Sequence, residues 1–178
     1  MNNIRLIHAS CADQTVDVVV NAANKYLWAG GGICGVIFSK AGMKELTDAC
    51  YRFNTPLDDG SAVITKAFNM KNAKAIIHAV GPDFYKTPSA FDKLCDAYYN
   101  SLKVMMHHGY HSISFPLISA GIFGGRLENP AVESSKQCLK AYEKFISDYP
   151  DYGVDVKLCA FSDSEMLKAK EVFKELPI

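Results

Sequence analysis

The chain lacks most of the features from which a function is usually read. Its six cysteines (Cys11, Cys34, Cys50, Cys95, Cys138 and Cys159) form no CxxC pair and no Cys–His pair at zinc spacing. That pattern gives neither a metal knuckle nor a disulfide framework, and it reads as reduced thiols used as small hydrophobes. His8, His107, His108 and His111 show no ligand spacing either, so no motif calls for a metal or a cofactor. Charge of one sign is not in excess: the formal net charge is zero. A domain held to nucleic-acid phosphates by bulk charge carries a basic surplus, so nucleic acid is disfavoured as a partner. There is no apolar run of membrane-spanning length, and Met1 to Arg5 opens no signal core; no membrane partner and a cytosolic location are expected. Repeats, low-complexity tracts and linkers are also missing. No GxxxxGK[ST] occurs, which argues against a P-loop fold.

What is present is one domain's worth of chain. A length of 178 residues with 49% hydrophobic composition suffices for a real core, and a single domain over residues 1–178 is expected. The most telling stretch is Val18-Val19-Val20-Asn21-Ala22-Ala23-Asn24, followed by Gly30-Gly31-Gly32-Ile33-Cys34-Gly35. A β-branched run ends in a small, polar loop that feeds a helix. Glycine lets backbone approach an anion closely, and free N–H groups at a helix start point toward it. A companion loop, Ser119-Ala120-Gly121-Ile122-Phe123-Gly124-Gly125, also follows an apolar run. Two such loops suit a ligand with more than one phosphate, gripped from both sides.

Periodicity orders the rest. Strands are expected at Ile4–His8, Val16–Val20, Ser61–Lys66, Ala75–Val80, Ser112–Leu117 and Val154–Phe161. Helices are expected at Ile33–Ala41 and Met43–Arg52, broken near Gly42, and at Pro88–His108. Another begins at Pro130 and runs to about Asp148, and a last one is capped by Asp163. Strands alternating with helices predict an α/β fold: a three-layer αβα sandwich with a mixed, largely parallel central sheet. In such sheets ligands sit beyond the carboxyl ends of the strands, where both glycine loops fall.

These residues carry a family likeness. The chain resembles a macro domain, the ADP-ribose-binding module, over nearly its full length. The matching pieces are Asp17–Asn24 (DVVVNAAN), Gly30–Gly35 (GGGICG), Ala62–Thr65 (AVIT), Ile76–Pro82 (IIHAVGP) and Phe115–Gly124 (FPLISAGIFG), in matching order and spacing. The resemblance implies that Asn24 orients the distal ribose and that Gly31, Gly32 and Ile33 face that ribose and the nearby phosphate. It implies that Ser119, Ala120, Gly121, Ile122 and Phe123 wrap the diphosphate, with Phe123 against the ribose. It places Phe161 against adenine, with Ser10 and Cys11 beside the base. Two positions depart from the family pattern. Ser10 stands where many members have an Asp that accepts from the adenine amino group. Cys34 stands where one hydrolytic group has an Asp that helps to activate water.

Each assignment has a plainer counterpart. Asn21 is read as structural, tying its loop through backbone hydrogen bonds. Phe123 fits a ligand contact better than a core position, because it lies inside a glycine loop. Phe161 reads equally as core or as base platform. His78, inside an apolar strand, is read as a satisfied buried histidine. Trp28 is read as a loop anchor, Asp13 as an adenine partner only if its loop is remodelled, and Met105–Met106 as core. Residues Glu165 to Glu175 read as a solvated helix face. A cysteine at a helix start can have a lowered pKa and act as a nucleophile; for Cys34 a small pocket-wall residue is the preferred reading. Neutral amides can hold a diphosphate without a Lys/Arg clamp, which fits the zero net charge. The expected activity is binding of ADP-ribose and hydrolysis of its conjugates, ADP-ribosylated protein or O-acetyl-ADP-ribose, without a cofactor. The alternative is a reader that binds ADP-ribose without turning it over.

Overall fold

The Val18–Val20 run shows no polar alternation because both of its faces are covered. In the computed structural model, which describes residues 1–174, these valines lie in strand β2 (Val18–Ala23) near the middle of a six-stranded sheet. The other strands are β1 (Asn3–His8), β3 (Ala62–Lys66), β4 (Ala75–Val80), β5 (Ser112–Phe115) and β6 (Asp155–Ala160). The order is β1-β6-β5-β2-β4-β3. Every pairing is parallel except that of edge strand β3 with β4. The sheet is therefore mixed and largely parallel, as expected.

Alternate residues serve opposite layers, because successive strand side chains point to opposite faces. Val18, Val20, Ile77, Phe115 and Leu158 face one core; Val19, Ile76 and Cys159 face the other. The first core is closed by α3 (Phe91–His107), α4 (Pro130–Asp148) and α5 (Asp163–Phe173). The second is closed by α1 (Gly32–Ala41) and α2 (Met43–Cys50). In α1 the buried residues are Cys34, Ile37, Phe38 and Ala41, a spacing of three and four that lays one stripe on the sheet. Large side chains such as Phe38, Tyr98 and Phe145 are fully buried, each contributing about 1.5–3 kcal/mol by leaving water. All six thiols are free and buried. No helix among the described residues is long and apolar enough to cross a membrane.

Boundaries differ from the sequence reading where chain ends leave the sheet. β5 stops at Phe115, before Pro116, which has no N–H to give a neighbour. α3 begins at Phe91 rather than Pro88. α5 is capped by Ser162, not Asp163: the Ser162 hydroxyl accepts from the Glu165 amide at 3.1 Å, and the Glu165 carboxylate accepts from the Ser162 amide at 3.1 Å. This is a reciprocal capping box. Asp163 instead faces His8 at 3.3 Å. The polar face of α5 is seen from Glu165 to Lys174; Glu175 lies outside the described residues.

Candidate functional site

Because β1, β6, β5 and β2 are parallel neighbours, their carboxyl ends open on one edge of the sheet. Four connections leave there: Ala9–Ser10 after β1, Phe161 after β6, Pro116–Phe123 after β5 and Asn24–Gly31 after β2. They surround a cavity of about 590 Å³, within the size range of small-molecule sites. Along the edge the order is Ser10 and Phe161, then the Ser119–Phe123 loop, then Asn24 with the glycines. With strands about 4.8 Å apart, the β2 end lies roughly 10 Å from the β6 end.

The first glycine loop leads straight into α1. Gly31 is the helix N-cap and supplies no capping side chain. The first-turn amides therefore stay open, at the positive end of the helix dipole. A Cβ built on Gly30, Gly31 or Gly121 would meet no other protein group within 4 Å, so protein packing does not demand glycine there, and all three line the cleft. Gly35 is different: a Cβ there would lie 2.6 Å from the Gly30 carbonyl oxygen. Its hydrogen side chain lets the helix sit against the loop.

The second loop is pinned from beneath. The Tyr98 hydroxyl accepts from the Ile118 amide at 3.0 Å and lies 2.6 Å from the Ser134 hydroxyl, which itself donates to the Ile118 carbonyl at 2.6 Å. Ser119 sits at φ 60°, an unusual conformation for a residue with a side chain. Its hydroxyl donates to Pro82 O at 2.8 Å, and the Phe84 amide holds Phe123 O at 2.9 Å. Among the described residues, the amides of Ala120 and Gly124 are spent within the loop, on Leu117 and Gly121; those of Gly121, Ile122 and Phe123 are not so used.

Ser10, Cys11, Asn24, Gly31, Gly32, Ile33, Cys34, Ser119, Gly121, Ile122, Phe123 and Phe161 all line the cavity. Ala120 is the exception and is corrected: its methyl packs against the core. Phe161 is 74% exposed, because β6 ends at Ala160 and the next residue projects past the sheet; it is a cleft residue and not core. Asp13 does not line the cleft, since its carboxylate pairs with Lys40 at 2.8 Å. Trp28 is corrected too: its ring is exposed and stacked on Tyr26 at 4.6 Å, and its backbone does the anchoring. Asn24 Oδ1 accepts from the amides of Tyr26 and Trp28, both at 3.1 Å, while its Nδ2 donates to Trp28 O at 2.8 Å.

Asn21 is structural, but through side chains rather than backbone. Its amide nitrogen lies 3.1 Å from His78 Nδ1 and 3.7 Å from the Cys34 sulfur. An amide N–H can only donate, so Nδ1 is the acceptor and Nε2 carries the proton, 3.1 Å from the Thr65 hydroxyl. Burial pushes the His78 pKa down to about 4, so the ring is neutral near pH 7. Burial pushes the thiol of Cys11 well up and that of Cys159 to about 12; neither is a thiolate at neutral pH. Met105 is buried and Met106 packs on the same core.

Glu165, read from the sequence as part of a solvated helix face, is instead half-buried and is the only charged side chain lining the cavity among the described residues. The signal was present: Ser162-x-x-Glu165 just after a strand is a capping-box pattern, and it places the Glu one turn into α5, above Phe161. No group of three or more His, Cys, Asp or Glu among the described residues could hold a metal ion. Among the described residues no Lys or Arg lines the cleft, so an anion there meets backbone amides.

Comparison with known proteins agrees with this geometry. The family model described as Macro domain matches residues 20–132. An O-acetyl-ADP-ribose deacetylase of Escherichia fergusonii is 39% identical over 150 residues, covering 82% of this chain and 81% of that protein. An uncharacterized protein of Fusobacterium nucleatum is 38% identical over 162 residues, covering 90% of this chain and 88% of its own. Among solved structures, the Oceanobacillus iheyensis macrodomain with ADP superposes with a TM-score of 0.85 at 31% identity, covering 98% of this chain and 94% of that one. The Trypanosoma brucei macrodomain in complex with ADP-ribose gives 0.79 at 28% identity, covering 95% of this chain and 68% of that one.

Proposed function

The chain belongs to the macro domain family, and on that premise we propose that its cleft binds ADP-ribose and that the protein hydrolyses ADP-ribose conjugates, either O-acetyl-ADP-ribose or ADP-ribosylated protein. The observation that carries this reading is the pair of glycine loops turned toward one cleft without a Lys or Arg among its lining residues. A diphosphate fits between them, held by amides of the α1 N-terminus on one side and of the Gly121–Phe123 loop on the other. On this reading the base lies at Ser10 and Phe161 and the distal ribose over β2, beside Asn24 and Phe123, in keeping with the order of strand ends.

Hydrolysis on this reading is attack by water either at the anomeric carbon of the distal ribose, with departure of the attached protein side chain, or at the ester carbonyl carbon of an acetyl group on that ribose, with departure of the ribose hydroxyl and release of acetate. The protein supplies position: the amides hold the diphosphate, and the Asn24 loop holds the reacting sugar. Positioning of this kind is a large part of catalysis. Six thiols without a disulfide suit a reducing compartment.

A reader without turnover is the second reading, and one observation favours it. Cys34 provides no carboxylate beside Asn24, and the one carboxylate lining the cleft among the described residues, Glu165, comes from α5 after β6, two strands away from β2. Incubation with O-acetyl-ADP-ribose and with ADP-ribosylated protein separates the two. Release of acetate or free ADP-ribose above the buffer rate supports the hydrolase. Saturable binding without release supports the reader, and no binding overturns both.

A further inference from the structure

We propose that the exposed stack of Tyr26 and Trp28 is a docking platform for the polypeptide that carries the ADP-ribose, so that ADP-ribosylated protein, and not O-acetyl-ADP-ribose, is the substrate class this surface serves. The proposal rests on the ADP-ribose reading above and chooses between the two substrates it leaves open. Trp28 is the only tryptophan of the chain. It is 63% exposed and Tyr26 is 41% exposed, and their rings stack with centroids 4.6 Å apart and planes 16° from parallel. Two large rings left in water forgo the gain of burial. Tyr and Trp offer a partner a large, rigid contact area at small entropic cost.

The loop holds the pair outward. Leu27, between the two rings, is buried in the second core at φ 59°, a region that few residues with a side chain adopt. Asn24 Oδ1 takes the amides of both Tyr26 and Trp28, so the residue placed at the distal ribose also fixes the platform. Neither ring lines the cleft, but Asn24 and Gly30, which flank them in the chain, both do. On the ADP-ribose reading the anomeric carbon lies beside Asn24, and whatever is attached to it leaves the cleft next to these rings. The surface continues beyond them. Lys25 lines a second cavity, of about 600 Å³, together with Asp58, Asp92, Thr87 and Ser89, side chains that can pair with a peptide backbone and its polar groups. An acetyl group adds two carbons to the ribose and has no use for this surface. A polypeptide adds a chain that can lie across both rings and the second cavity.

The test compares ADP-ribose with a conjugate: a short peptide of glycine, serine and arginine joined to the anomeric carbon through a hydrolysis-resistant triazole. Binding is then read whether or not the protein turns substrate over, and arginine suits both an aromatic face and a carboxylate. Calorimetric titration of wild type is expected to give the conjugate about tenfold tighter binding than ADP-ribose. The double variant Tyr26→Ala/Trp28→Ala removes the rings and keeps the amides that Asn24 holds; it is expected to bind the two ligands alike. A ratio of two affinities measured on one protein is insensitive to a general loss of folded material. In wild type the conjugate, and not ADP-ribose, is expected to shield Trp28 fluorescence from acrylamide. If wild type binds both ligands alike, if its preference survives in the double variant, or if Trp28 stays open to acrylamide in the complex, the proposal is overturned and the ADP-ribose reading stands. If Trp28 is already shielded in the free protein and sedimentation shows a dimer, the pair belongs to a second copy of the chain and the proposal is overturned as well. If wild type binds neither ligand, both readings fall.

Discussion

Asn24 and Cys34 converge on one acceptor, the backbone oxygen of Trp28: the Asn24 amide reaches it at 2.8 Å and the Cys34 thiol at 3.7 Å. The cleft wall is thereby joined to a buried chain, because the Cys34 sulfur also meets Asn21, which meets His78, which meets Thr65. These contacts tie the β2 loop to the strand beside it, while Asn21 Oδ1 is buried without a hydrogen-bond partner among the described residues, a cost the chain carries.

Asn24→Ala removes three hydrogen bonds that shape residues 24–28. Binding energy comes mainly from amides and stacking elsewhere, so affinity for ADP-ribose is expected to change little. Turnover is expected to fall about a hundredfold, the cost typical of a misplaced reacting group. Paired measurements of Kd and kcat check this; full activity in the variant removes Asn24 from the mechanism.

Cys34 has no base at hand. The nearest imidazole, His78, touches it only through Asn21, and both its ring nitrogens are engaged. Cys34→Ala is therefore expected to keep most of the activity, with no covalent adduct in intact-mass spectra during turnover. Cys34→Asp is expected to keep or raise activity by adding a carboxylate near the attacking water. A substrate-derived adduct that vanishes in Cys34→Ala together with turnover would make the thiol a nucleophile instead.

Phe161 projects past the end of β6 and is largely exposed, so truncating it leaves the core intact. Phe161→Ala should weaken ADP-ribose by about 1–3 kcal/mol, the usual worth of a base on an aromatic face, while leaving affinity for ribose 5-phosphate and the melting temperature unchanged. Equal losses for both ligands would show a structural role in place of a base platform.

His78 makes stability pH-dependent in a defined window. Burial holds its folded pKa near 4, below the unfolded value near 6.5. Between these values the unfolded chain binds the extra proton, so stability is intact above pH 6.5 and declines as pH falls toward 4. The loss by pH 4.5 is about 2–3 kcal/mol. Urea unfolding of wild type and His78→Gln at pH 7.5 and 4.5 isolates it, and an equal decline in both proteins would place the effect elsewhere.

Local signals carried much of this into the sequence reading. Val18–Val20 is legible as a doubly covered strand because three β-branched residues run together, and Pro130 marks a helix start by its fixed φ. The cradle was legible because glycine loops following strands fall at carboxyl ends of a parallel sheet. Long-range pairings were not. The partner of Asn21 lies 57 residues away on β4, and nothing local announces it. Phe161 stayed undecided because its exposure depends on where β6 stops. Glu165 reads as part of a solvated face because the sequence suggests a cap at Asp163, one residue late, which hides the capping box of Ser162 and Glu165.

Central to the proposed function is a grip by two glycine loops on one extended ligand, with a diphosphate between them and a second ribose beyond. Isothermal titration of wild-type protein with ADP-ribose and with AMP tests it most directly. Filling both loops predicts that ADP-ribose binds at least about tenfold more tightly, or about 1.4 kcal/mol. Equal affinities for the two ligands would mean that the cleft recognises no more than a nucleoside monophosphate, contradicting the account.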